Sequence, residues 1–186
     1  MMKHFAAPAA LSAFLITGCT SDASVSDYPP GPYGVNAGDI IENVSFQDLN
    51  GKTVDLKSLY RGSARALLIY ATGTWCFSCK QETDWLNAKV ATNGTNIVPV
   101  AVLLENNRHQ RADATTGGDW VHAFGVKFLT LLDPDGHLDG FRTSGVVPLN
   151  LVIDTSTMRI VQRQYEFDAS TLDAALARAM GEERSK

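Results

Sequence analysis

The sequence predicts an α/β fold built on a mixed β-sheet, and three observations carry that prediction. Two continuous apolar runs, residues 66–70 and 97–104, have the length and composition of strands buried on both faces. An Asn50-Gly51 step lies between two short strand-like runs, which is a hairpin signal. The stretches between the later strand-like runs carry helix-compatible patterns, so β and α elements alternate. With 186 residues, 45% of them hydrophobic and 19% charged, the chain reads as one globular domain of ordinary size. Sixteen Lys and Arg against twenty Asp and Glu give a formal charge of -4. No basic stretch interrupts this balance, which argues against nucleic-acid binding.

Lys3 precedes an apolar run over residues 5–16, the pattern of a secretory signal peptide and too short to span a bilayer as a helix. The run ends in Leu15-Ile16-Thr17-Gly18-Cys19, which resembles the lipobox of bacterial lipoproteins. Residues 1–18 are therefore expected to be a lipoprotein signal peptide, with Cys19 as the acylated residue. Residues 19–38 are rich in Ser, Asp, Pro and Gly without apolar periodicity, and are expected to be a flexible linker. The folded domain is expected over residues 39–186. This arrangement places it in the cell envelope, lipid-anchored, in the periplasm or extracytoplasmic space, where cysteine pairs matter.

Within the domain, residues 43–48 and 52–55 form the expected hairpin, followed by a short helical turn over 56–60. Residues 66–70 make a central strand. A helix is expected over 76–90, and a second buried strand over 97–104 with Pro99 near its start. Residues 105–118 are polar and weakly periodic, with a short helix over 119–124. Strands follow at 128–132, 148–153 and 159–165, the last two paired through the turn at 154–157. A closing helix has Ser170 as its N-cap and Leu172, Ala175, Leu176 and Met180 on one face.

The chemistry sits in Trp75-Cys76-Phe77-Ser78-Cys79. The Cys-x-x-Cys pair follows a buried strand and opens a helix, where unpaired amides and the helix dipole favour a thiolate at Cys76. Cys79 lies one turn on, close enough for a disulfide. Cys76 is thus the attacking cysteine and Cys79 the resolving one. Competing readings are weaker. A four-cysteine zinc site needs more than the three cysteines present, and His109, His122 and His137 show no ligand spacing. Covalent haem attachment needs histidine directly after Cys79, where Lys80 stands. A purely structural disulfide across so small a loop stabilises little.

These residues resemble the thioredoxin fold, and specifically the TlpA/ResA-like membrane-tethered thiol–disulfide oxidoreductases. The resemblance extends over residues 38–181. It includes the hairpin around Asn50-Gly51 and the segment Gly145-Val146-Val147-Pro148 followed by a strand. It implies a mixed central sheet flanked by helices, with the hairpin as an N-terminal extension. It implies a cis Val147-Pro148 bond beside the cysteines, with Val147 offering its backbone to substrate. It also implies that Glu82, one turn beyond Cys79, assists proton transfer at the thiols. Trp75 is expected to cover the site. Tyr70 occupies the position where thioredoxin carries a buried acid, which shifts any acid–base role toward Glu82. Thr72 stands where many relatives carry a large aromatic residue, and Asp84 where many have a proline.

The function implied is disulfide exchange with envelope client proteins, in the reducing direction, through Cys76 and Cys79. No cofactor is needed beyond that pair. A membrane thiol electron donor recharges it, the protein acts as a monomer, and cytochrome c maturation is one setting the resemblance suggests. Two alternatives stand beside this. One is peroxide reduction, for which peroxiredoxins use Thr-x-x-Cys, whereas Gly73 occupies the position three before Cys76. The other is a non-enzymatic partner- or copper-binding lipoprotein, for which relatives use three residues between the cysteines, not two.

Overall fold

The computed structural model describes residues 28–59, 63–93, 96–143 and 145–181. The expected signal peptide, Cys19 and the first part of the linker lie outside the described residues. The hairpin forms where Asn50-Gly51 places it. Strands β1 (Ser45–Asp48) and β2 (Thr53–Asp55) pair antiparallel across it. Gly51 takes a left-handed φ of 80°, which suits glycine, and Asp48 Oδ1 accepts from the backbone amides of Asn50 and Lys52.

The remaining elements follow in alternation. They are β3 (Ala66–Gly73), α1 (Lys80–Asn93), β4 (Ile97–Glu105), α2 (Ala114–Phe124), β5 (Leu129–Leu132), β6 (Leu149–Asp154), β7 (Arg159–Tyr165) and α3 (Ala169–Met180). Together the strands make one seven-stranded sheet in the order β2-β1-β5-β4-β3-β6-β7. β3–β4 and β4–β5 run parallel, and the other pairs antiparallel, so the sheet is mixed as the sequence predicts. The hairpin joins the sheet through Gln47 and Asp48 on β5, making it an extension of the main sheet.

Side-chain alternation along the central strands splits the core in two. Ala66, Leu68 and Tyr70 of β3 face the side where Leu86 of α1, Trp120 of α2 and Leu172, Ala175 and Leu176 of α3 pack. Leu67, Ile69 and Ala71 face the other side, covered by Ile41, Val44, Leu56, Leu138, Phe141 and Met158.

Four local expectations are revised. α2 starts at Ala114, five residues earlier than the sequence pattern suggests, because Asp113 caps it. The Asp113 carboxylate accepts from Thr116 N at 2.8 Å, while Thr116 Oγ1 accepts from Asp113 N, a reciprocal cap built with threonine rather than glutamate. α3 is capped by Asp168 and not by Ser170, whose own amide and hydroxyl donate to the Asp168 carboxylate. The helix expected from Cys76 opens as a 3-10 turn, Phe77–Cys79, and becomes α-helical at Lys80. Finally, residues 28–38 of the expected linker are docked. Tyr28 Oη donates to Ile41 O at 2.8 Å, Gly38 N donates to Ile160 O at 2.8 Å, and Tyr28 and Val35 pack on the core opposite the three α-helices.

Asp113→Ala removes the reciprocal cap on α2. It is expected to lower stability by about 1 kcal/mol and the melting temperature by roughly 2–4 °C. A thermal scan showing no shift would mean that packing of Trp120 alone fixes the helix start.

Candidate active site

The site is built at the C-terminal end of β3. All eight β3 residues are buried, and the strand is bonded to β4 on one side and β6 on the other. The chain then turns sharply. Thr74 N donates to Glu105 O at 2.9 Å, Cys76 N to Gly73 O at 3.1 Å and Cys79 N to Cys76 O at 3.1 Å. These bonds place Cys76 ahead of the 3-10 turn and Cys79 at its end. The two sulfurs are joined in a disulfide, with Cα atoms 5.4 Å apart. Cys76 keeps 5% of its surface exposed and Cys79 1%. Ser78 Oγ lies 3.5 Å from Cys76 Sγ.

Trp75 and Phe77 border the disulfide and are both exposed, Phe77 at 82%. The Trp75 indole folds back over Gly73, where a Cβ would lie 2.5 Å from its Nε1. Glycine is required there by this close approach. The Trp75 ring centroid also lies 5.4 Å from that of His109, whose Nδ1 lies 3.3 Å from the Glu105 carboxylate. His122 lies in the last turn of α2 and His137 beside Phe46. Among the described residues, no three His, Cys, Asp or Glu side chains are grouped to hold a metal ion.

Glu82 is the unusual member. It lies in the first turn of α1, fully buried, and neither carboxyl oxygen has a hydrogen-bond partner at ordinary distance. Loss of hydration disfavours the ionised form and pushes its pKa up from 4.5 to about 8, against a smaller opposing pull from Asn150. Tyr70, also buried, donates to Cys79 O at 3.0 Å, and burial raises its pKa. Thr83 Oγ1 donates to the same carbonyl at 3.3 Å. Tyr70 and Thr83 thereby hold the backbone of Cys79 from below.

The Val147-Pro148 bond is cis, the geometry the sequence reading expects. Pro148 is buried, immediately before Leu149, which pairs with Ala71. That register sets the proline beside the last residues of β3. The structure thus brings Trp75, Cys76, Cys79, Glu82, Val147 and Pro148 to one end of the sheet. Sequence reasoning missed Asn150, Gly73 and His109. Only Asn150 left a signal, as a polar residue inside the apolar run of β6.

A model of the AhpC/TSA family matches residues 37–160. A thioredoxin-like protein of Haemophilus influenzae is 29% identical over 121 residues, 65% of this chain and 66% of that protein. The thiol-disulfide oxidoreductase ResA of Bacillus thuringiensis is 26% identical over 117 residues, 60% of each chain. The aligned stretches thus span less than two thirds of either relative's length. Among solved structures, the thioredoxin domain of a Bacteroides vulgatus thiol-disulfide oxidoreductase superposes with a TM-score of 0.60 at 16% identity, over 77% of this chain and 99% of that one. A thioredoxin-like protein from Porphyromonas gingivalis does so with a TM-score of 0.60 at 18% identity, over 79% and 95%. The fold is the thioredoxin fold.

The raised pKa of Glu82 has a consequence for stability. An acid that binds its proton more tightly when folded favours the native state fully below its unfolded value of 4.5, and this contribution is lost as pH rises through about 8. Glu82→Gln has no proton to lose. Denaturant titrations of the oxidised protein are expected to show wild type losing stability relative to Glu82→Gln between pH 5 and pH 9, by on the order of a few kcal/mol. Parallel pH profiles for the two proteins would contradict the assignment.

Proposed function

Because the chain belongs to the AhpC/TSA family, we propose that it is a thiol–disulfide oxidoreductase that works as a reductase on envelope client proteins. The observation that carries this is the Cys76–Cys79 disulfide backed by a buried, proton-holding acid one helical turn away.

The residues support the following cycle. In the reduced protein the Cys76 thiolate attacks one sulfur of a client disulfide. A Cys76–client bond forms, and the first client sulfur leaves as a thiolate that takes a proton from solvent. Glu82, as carboxylate, accepts the proton of the Cys79 thiol. The Cys79 thiolate then attacks Cys76 Sγ, the intramolecular disulfide forms, and the second client sulfur leaves. Two electrons have passed from the cysteine pair to the client, and Glu82 is left protonated, the state its burial favours in the oxidised form. A membrane dithiol donor reverses the exchange at Cys76–Cys79, and Glu82 returns its proton to the departing Cys79 thiolate. Trp75 and the exposed Phe77 offer the client an apolar border, and Val147 beside the cis proline offers backbone hydrogen bonds.

Peroxide reduction fits these residues less well. The position three before Cys76 is Gly73, without a hydroxyl, and the Trp75 indole occupies the space a larger side chain there would need.

Cys76→Ser is expected to abolish reduction of a disulfide-bonded protein substrate, whereas Cys79→Ala leaves clients trapped as mixed disulfides that reducing agent releases. Unchanged turnover in Cys76→Ser would overturn the assignment.

The N-terminal motif supports lipid attachment at Cys19, with the domain tethered outside the cytoplasm. Cys19→Ala is expected to move the protein from the membrane fraction to the soluble one and to end incorporation of labelled fatty acid. Retention of both properties would remove the anchor from the proposal.

A further inference from the structure

Three adjacent strands place a polar row beneath α1. Tyr70 on β3 stands directly opposite Asn150 on β6, and Asn150 directly opposite Gln164 on β7. Residues opposite one another in an antiparallel ladder share a face. Tyr70 belongs to the helix-covered core, while Leu149 and Leu151, the neighbours of Asn150, belong to the other one. The Asn150 side chain therefore points toward the disulfide side, where Glu82 lies.

Asn150 is fully buried, in a strand whose other members are Leu, Val, Ile and a terminal Asp. Neither Nδ2 nor Oδ1 has a hydrogen-bond partner at ordinary distance in the oxidised state, nor has either Glu82 oxygen. A buried polar group without a partner costs roughly 1–3 kcal/mol, so packing alone does not account for an amide here. A leucine would fill the space without that cost. Asn150 is also the side chain that draws Glu82 toward ordinary acid strength, against the effect of burial.

We propose that Asn150 is the positioning residue for Glu82: its carboxamide donates to the carboxylate when Glu82 is ionised and accepts from the carboxyl when Glu82 is protonated. The acid then keeps one position through the proton cycle. This rests on the reading of Glu82 as proton carrier. A carboxamide carries its donor and its acceptor on two separate atoms, whereas leucine carries neither and threonine has both on one shorter hydroxyl. The other surroundings of Glu82 leave this role to Asn150. From β3 it faces Tyr70, whose hydroxyl is weakened as an acid by burial and engaged with Cys79 O. On α1, Thr83 is neutral and bonded to the same carbonyl. From β7 the row continues with Gln164, one strand further from β3 than Asn150, whose Nε2 donates to Glu166 O while its buried Oε1 has no partner at ordinary distance; Arg163 donates to Val35 O on the opposite face. α3 presents Leu172, Ala175 and Leu176 to this core.

The test is a carboxyl titration of the oxidised full-length protein, labelled with carbon-13 at the glutamate side chains and followed by NMR. Asn150→Leu is expected to move the Glu82 midpoint alkaline by roughly one pH unit, a tenfold tighter proton. Asn150→Thr is expected to move it in the same direction by less, and it carries the test should Asn150→Leu fail to fold. The pH midpoint of disulfide exchange should move with the titration, a change that lost packing by itself would not produce. A Glu82 midpoint unchanged in the folded variants overturns the positioning role. A shifted midpoint upholds that role even where Glu82→Gln leaves the exchange profile unmoved, an outcome that would overturn the proton-carrier reading alone.

Discussion

β3 is buried along its whole length, and the site depends on that constraint. A strand bonded on both edges and covered on both faces cannot shift register without moving every side chain to the wrong core. Its last residues are fixed accordingly. Tyr70 is locked under Cys79, Gly73 under Trp75, and Thr74 is bonded to the end of β4. Because β6 pairs with the same strand, the position of Pro148 beside the cysteines follows from the same register. The cysteine pair is on a turn, but the turn is held by a strand buried along its whole length and paired on both edges.

Against this rigid frame the sequence sets an electrostatic tension. The proposed exchange needs a group that can take and return a proton near the inner thiol, and an exposed carboxylate would give its proton to water far below neutral pH. Burial of Glu82 shifts its proton affinity into the range where thiols exchange protons. The same burial makes the ionised form expensive, and the Asn150 carboxamide is one of the polar groups the sheet places on that side, between Tyr70 and Gln164. In the proposed cycle, stability and proton transfer are therefore set by one pocket.

The other face of the sheet is managed differently. Among the described residues the three α-helices contribute to one core, and the second core is closed by the 3-10 turns Leu56–Leu59 and Asp139–Phe141 and by the segment leading into β1. Tyr28 and Val35 help to cover it, and Arg159 and Arg163 of β7 bond the backbone of Gly38 and Val35. A segment that reads as a polar spacer thus ends in a docked arm. Local composition cannot reveal this, because Tyr28 and Val35 are isolated apolar residues among Ser, Asp, Pro and Gly, and the arginines that hold the backbone of Val35 and Gly38 lie more than a hundred residues away in β7.

The legibility of the molecule from its sequence divides along this local and long-range line. The two buried strands, the Asn-Gly hairpin and the cysteine pair opening a helix were readable because each depends on residues within a few positions of one another. The start of α2 was not, since its cap uses Thr116 where the familiar pattern has an acid or amide, and α3 turned on a choice between Asp168 and Ser170 that only the hydrogen bonds resolve. At the site, Cys76 and Cys79 follow from spacing alone, and Glu82 and Pro148 follow from what that spacing resembles. The sequence by itself therefore determined which atoms can exchange a disulfide and on which element they sit. Only the tertiary structure decided that Glu82 is dry, that Asn150 faces it, and that Trp75 lies on Gly73. Those facts arise from strand register and helix packing between segments far apart in the chain, and no local pattern encodes them.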